Sequence, residues 1–244
     1  MRKEYEIYNK TVKIYFDENR HMYFNEAGEH LTGVTTITGV VDKSGPLMFW
    51  AVKMAKNYLI DNWNTRKQIT ESQKMELLEE ASKQHRIFKE KAADIGTKIH
   101  EWISKKIMGE KQEMPTDEKV VNGITAFIKF QNENKVKWIE SERLVYSKKY
   151  SYCGLLDAAG MIGKDLVLID FKSSNAIYDE MRFQVAGYQI AYEEETGKKF
   201  DRTMIIRFGK EDGEFEINEL DNQEKDKKAF LACLELKKRL KELK

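Results

Sequence analysis

At 244 residues, with 41% apolar side chains and four tryptophans, the chain can bury a substantial core, as one large domain or one domain with an elaborated insert. Lys plus Arg, 42, nearly cancels Asp plus Glu, 41, so no global basic field marks a nucleic-acid partner and any DNA-binding surface must come from local segregation of charge. Cys153 and Cys233, far apart and without CxxC spacing, argue against a disulfide framework or zinc knuckle and read as small core residues. No apolar run is long enough to span a bilayer, and the N-terminal MRKEYEIYNK has no apolar signal region, so the expectation is a cytoplasmic protein with no membrane partner.

Residues 5 to 24 alternate as TVKIYF and HMYF around Asp17-Glu18-Asn19-Arg20, which predicts a β-hairpin. LTGVTTITGVV reads as a connector or the start of a short helix. Pro46 then opens a helix from Leu47 to about Ile60, with Trp50 and Met54 on one face and Trp50 in the core. The charged stretch from Asp61 to Lys91 has a weak stripe of Met75, Leu78 and Ala81 or Ser82 and reads as a helical insert. In KAADIGTKIHEWISKKIMG, Ala92, Ile95, Ile99, Trp102 or Ile103, and Ile107 recur at helical spacing up to Gly109. A second helix starts after Pro115 with Thr116-Asp117-Glu118 and carries Val120, Ile124, Phe127 and Ile128.

ERLVYS, YCGLLDAAGMI and DLVLIDFKS read as strands, MRFQVAGYQIAYEEETG as a helix closed by Gly197, and RTMIIRF and EFEINEL as two more strands. A charged terminal helix has a seam of Ala229, Ala232, Cys233, Leu236 and Leu240. Helices alternating with strands predict one α/β domain over residues 1–244, a central mixed sheet flanked by helices. Residues 1–45 supply its hairpin and connector, 46–91 a helical region, and 92–244 the core.

The chemistry concentrates in Asp157 and in Asp170-Phe171-Lys172. Side chains alternate along a strand, so Val167, Ile169 and Phe171 share one face while Leu168, Asp170 and Lys172 share the other. In so apolar a strand an ionised Asp and a Lys are costly unless paired or bound to a metal. Two readings follow: an ion pair at a strand end, or a hydrolytic metal site in which carboxylate oxygens hold Mg²⁺ or Mn²⁺ and the lysine reaches water or phosphate. His100, on the preceding helix, is either a satisfied histidine or a nitrogen ligand that favours Mn²⁺, and its neighbour Glu101 either supports the site or faces solvent. Gln184 and Tyr188, at i and i+4, share a helix face that suits either a phosphate contact or an ordinary half-buried tyrosine.

The ordered elements GTKIHEWI, ERLVYSKKYSYCGLLD, LVLIDFKSS and QVAGYQIAY resemble the PD-(D/E)XK nuclease superfamily, and within it the RecB-like exonuclease branch, including the mitochondrial genome maintenance exonuclease type and phage and bacterial exonucleases. The likeness runs from Gly96 to Tyr192, with a weaker one at GVTTITG. It implies a restriction-endonuclease-like fold and metal-dependent DNA hydrolysis. It also implies His100, Asp157, Asp170 and the Phe171 carbonyl as metal ligands, Lys172 as the catalytic lysine, Gln184 and Tyr188 as the Q-x-x-x-Y pair, and Glu142 and Glu101 as supporting residues behind the ligands.

Two cysteines cannot supply the four that hold the iron–sulfur cluster of some relatives, and no GxxxxGK[ST] loop is present, so neither cluster nor ATP is expected. The resemblance makes the helical region the part that selects single-stranded DNA. There Trp63, Tyr58, Lys53, Lys56, Arg66 and Lys67 interleave aromatic and basic side chains as strand-binding channels do. An exonuclease of replication, recombination or repair in a bacterial or phage-infected cell is the expected function. The competing readings are an endonuclease and a silent DNA-binding module with the same fold.

Overall fold

A computed structural model of the chain describes residues 2–63 and 70–243. In order, these form β1 (Arg2–Ile7), β2 (Val12–Asp17), β3 (Met22–Asn25), β4 (His30–Gly33), α1 (Val34–Thr38), α2 (Ser44–Trp63), α3 (Glu71–Ile107) and α4 (Glu118–Glu133). There follow β5 (Lys137–Ser147), β6 (Tyr152–Ile162), β7 (Asp165–Lys172), α5 (Asp179–Thr196), β8 (Arg202–Phe208), β9 (Phe215–Glu219) and α6 (Gln223–Glu242). The strands make one mixed sheet in the order β1-β2-β3-β4-β6-β7-β8-β9, with β5 also paired to β6. β4–β6 and β7–β8 are parallel and the remaining pairs antiparallel. The expected architecture, a central mixed sheet flanked by helices, is the one adopted. Among the described residues no helix is long and apolar enough to cross a membrane.

The chain divides into two compact units. One comprises Met1–Val41 and Lys98–Lys244, and so contains the whole sheet; the other, Asp42–Thr97, contains α2 and most of α3. In the first unit the two faces of the sheet are covered differently. On one face Leu156, Ala159, Leu168 and Ile205 pack against Val34 and Ile37 of α1, Val185 and Tyr188 of α5, and Phe230 and Leu234 of α6. The other face carries an aromatic cluster in which Phe127 and Phe130 of α4 meet Trp138, Phe171 and Phe208. Leu168 and Phe171 thus fall on opposite faces, as the alternation of β7 requires. Cys153 is buried in a third cluster with Ile7, Ile14, Leu31 and Leu144, as a core residue, whereas Cys233 is half-buried at the edge of the first.

Several elements differ from the sequence reading. The N-terminal hairpin is the β2–β3 part of a four-stranded antiparallel meander. β1 escapes a hydrophobic pattern because charged residues fill most of it. α2 buries none of its residues, so Trp50 is half-buried, not core. The helix expected near Ala92 begins at Glu71, since only Gly96 and no proline interrupts the stretch to Ile107. β5 starts at Lys137, before the apolar ERLVYS. On α6 the buried apolar positions are Phe230 and Leu234, and Leu236 and Leu240 of the expected seam are exposed. The Phe230 ring decides that rotation by packing on Tyr152 and on the bare backbone of Gly187.

A Cβ at Gly187 would lie 2.6 Å from Phe230 Cε2 and 2.7 Å from its Cζ. Gly187→Ala gains up to about 1 kcal/mol of helix propensity but overpacks a buried ring at about 1–3 kcal/mol. Thermal unfolding is expected to move down by a few degrees. An equal or higher Tm would refute this account of the α5–α6 contact.

Candidate metal centre

The site forms where β6 changes partners. β4 pairs with Tyr152 and Cys153, and β7 pairs with β6 from Ala158 to Ile162. Asp157 sits between the two ladders. Just beyond the last β6–β7 pair, the Phe171 N–H donates to Asp157 Oδ2 at 2.7 Å. Asp157 Oδ1 faces His100 Nδ1 at 3.6 Å, and the His100 ring stands edge-on to Phe171 at 6.2 Å between centroids. Phe171 therefore orients both the carboxylate, through its backbone, and the imidazole, through its ring.

Glu142 completes the group from β5. The register shifts between Trp138 and Glu140, and Glu142 itself has φ 49°, a left-handed conformation that costs a non-glycine residue about 1 kcal/mol or more. It lies across from Asp157, between the pairs Ser141↔Ala158 and Arg143↔Leu156. Ligand atoms of His100, Glu142 and Asp157 all come within 4.8 Å of one another. One imidazole nitrogen and two carboxylate oxygens at that spacing suit a divalent cation, and the nitrogen suits Mn²⁺ better than Mg²⁺.

Asp170 and Lys172 share a face of β7. Lys172 Nζ lies 2.5 Å from Asp170 Oδ2, with side chains 17% and 1% exposed. Lys172 is the charged partner of Asp170 Oδ2, while Asp170 Oδ1 is buried without a hydrogen bond among the described residues. A buried carboxylate with one oxygen in that state is chemically suited to a further cation. On α5, Gln184 Nε2 donates to Tyr188 OH at 2.7 Å. The Tyr188 ring occupies the space beside Gly154, where a Cβ would come within 2.6 Å of it.

Burial, reinforced by the Asp157 charge, pushes the Glu142 carboxyl up to about 7. Burial likewise pushes Asp170 up to about 6, with Lys172 opposing and Asp157 adding to the rise. For Asp157 burial is outweighed by His100 and Lys172, and its pKa is lowered. His100 and Lys172 are both raised. Burial works against their charge, but the Asp157 carboxylate outweighs it at His100, and Asp170 and Asp157 together outweigh it at Lys172. The cluster thus carries more negative charge than its own cations offset comfortably.

The structure therefore gathers His100, Glu142 and Asp157, pairs Asp170 with Lys172, and bonds Gln184 to Tyr188. Glu101 is exposed, and its charge adds to the upward push on Glu142. Lys53, Lys56 and Trp63 are exposed and Tyr58 is half-buried, all on α2 of the second unit. Arg66 and Lys67 lie outside the described residues. Glu142 stands closer to the centre than the supporting place expected for it. Its approach depends on a register shift and a left-handed residue, which no sequence pattern in KWIESERLVYS announces.

No protein-family model and no curated protein matches the chain. Among solved structures it is similar to an alkaline exonuclease, LHK-Exo, from Laribacter hongkongensis, at 17% identity and TM-score 0.30, over 63% of this chain and 92% of that one. It is also similar to LHK-Exo in complex with dAMP, at 18% identity and TM-score 0.31 over the same shares.

With its folded pKa raised from 4.5 to about 7, Glu142 favours the folded metal-free protein below pH 4.5, and that contribution is lost as pH rises through 7. Glu142→Gln removes the penalty. In chelator at pH 8 the variant should be more stable by on the order of 2 kcal/mol, or about 5 °C in Tm, with most of the gain gone at pH 5. A gain that is absent at pH 8, or equal at both pH values, would contradict the crowding of carboxylates.

Proposed function

We propose that the chain is a divalent-metal-dependent deoxyribonuclease of the PD-(D/E)XK type, with a restriction-endonuclease-like core and exonuclease action on single-stranded DNA or frayed ends. The observation that carries this reading is the gathering of His100, Glu142 and Asp157 where β6 changes partners, beside a buried Asp170 in contact with Lys172. A strand-end ion pair alone explains neither the convergence of His100 and Glu142 nor the buried Asp170 Oδ1 left without a hydrogen bond.

His100, Asp157, Asp170, Glu142 and the Phe171 carbonyl are the groups assigned to hold Mg²⁺ or Mn²⁺. Bound there, the ion supplies Lewis-acid polarisation of the scissile phosphate and a lowered pKa for water. Phe171 fixes the Asp157 carboxylate through its N–H. Lys172, whose ammonium is favoured by Asp170 and Asp157, orients the attacking water and offsets charge on the phosphate. Gln184, tethered to Tyr188, presents its amide to a non-bridging oxygen. Residues 46–91 are assigned the selection of single strands, by stacking on Trp63 and Tyr58 and by phosphate contacts from Lys53, Lys56, Arg66 and Lys67. The setting proposed is replication, recombination or repair in the cytoplasm of a bacterial or phage-infected cell.

End-labelled single-stranded DNA should be degraded from its ends with Mn²⁺ or Mg²⁺ and left intact in chelator. Asp157→Asn and Lys172→Ala should each lower kcat by about 100-fold or more. Full activity in either variant, or cleavage without metal, would sink the reading. Cutting of a covalently closed single-stranded circle would assign an endonuclease instead, and binding without turnover a silent DNA-binding module.

A further inference from the structure

Ser141 is half-buried on β5, and its hydroxyl donates to the Asp157 carbonyl on β6 at 3.0 Å. The bond joins the residue before Glu142 to the strand whose carboxylate Glu142 faces. This stretch of β5 is irregular. Trp138 pairs with Gly160 and Glu140 with Ala159, so two steps along β5 match one along β6, and exposed Ile139 is the extra residue of a bulge. Pairing resumes at Ser141↔Ala158, then skips left-handed Glu142 before Arg143↔Leu156.

A backbone in so rare a conformation persists only where its surroundings over-determine it. After Glu142, Arg143 does this: its guanidinium meets Glu140 at 2.5 Å and Glu195 of α5 at 3.0 Å. Before Glu142, the Ser141 hydroxyl does it. Asp157 is thereby held twice, at its carboxylate by the Phe171 N–H and at its carbonyl by Ser141. The second bond fastens it to the segment that carries Glu142, where two carboxylates within 4.8 Å repel each other unless a cation joins them. Without that bond β5 can relax towards extended geometry, and the spacing of the two carboxylates is no longer fixed. We propose that Ser141 is a positioning residue for the metal centre, its hydroxyl latching the bulged β5 to Asp157 and so setting the spacing of the Glu142 and Asp157 carboxylates. The inference rests on the nuclease reading, which assigns a divalent cation to this site.

The test is the affinity of the full chain for Mn²⁺ alone, read from the electron paramagnetic resonance of the free ion, with Tm in chelator measured alongside. Ser141→Ala should weaken Mn²⁺ binding by about 10-fold, as loss of a group that orients a ligand does, and Ser141→Thr, which keeps the hydroxyl, should stay within about 2-fold of wild type. In a Glu142→Gln background Ser141→Ala should weaken binding by less than about 2-fold, because the carboxylate it positions is gone. Wild-type affinity in Ser141→Ala, whatever its Tm, would make the hydroxyl a structural contact and overturn the proposal. So would an undiminished loss in the Glu142→Gln background, or a loss that threonine does not restore. If wild type binds no Mn²⁺, the metal centre fails and the proposal with it. If it binds Mn²⁺ but cleaves no single-stranded DNA, the nuclease reading fails and the affinities still decide the role of Ser141.

Discussion

The hydrogen bond from the Phe171 N–H to Asp157 Oδ2 is the contact on which the rest of the site depends. It forms just past the last β6–β7 pair, where a ladder bond gives way to a side chain, so the sheet itself aims the carboxylate. The same residue sends its ring into the aromatic cluster of Phe127, Trp138 and Phe208, and His100 stands against that ring. Core packing and the placement of Asp157 and His100 are therefore one constraint. Loosening the aromatic layer would disturb the candidate centre without touching either residue.

Around this frame the site collects unfavourable features. Glu142 and Asp170 resist ionising, Asp170 Oδ1 lacks a hydrogen bond among the described residues, and Glu142 holds a left-handed backbone within a strand. Each is a local cost, and a divalent cation bound there would relieve the first two together. Strain and crowded charge gathered at one place, in a sheet otherwise well packed, mark a candidate functional centre.

Asp157, Asp170 and Lys172 were legible in the sequence because charge is conspicuous in an apolar, period-two strand. The α4 face was legible for a similar reason: Val120, Ile124 and Phe127 keep helical spacing and are all buried. Less could be read where packing overrides pattern. Phe230 turns α6 away from its leucine seam, and charged β1 joins the sheet through backbone pairing. Glu142 reaches the centre through a register shift, a tertiary event without a local signature. Trp50 of α2 suggested a core contact, yet that helix buries none of its residues.

Convergence of His100, Glu142 and Asp157 on one ion next to Asp170 is tested most directly by anomalous diffraction from crystals grown with Mn²⁺. A single strong peak is predicted at about 2.0–2.3 Å from His100 and Asp157 ligand atoms, with carboxylate oxygens of Glu142 or Asp170 completing the shell. No peak there, or a Lys172–Asp170 pair unchanged beside an ion bound elsewhere, would contradict it.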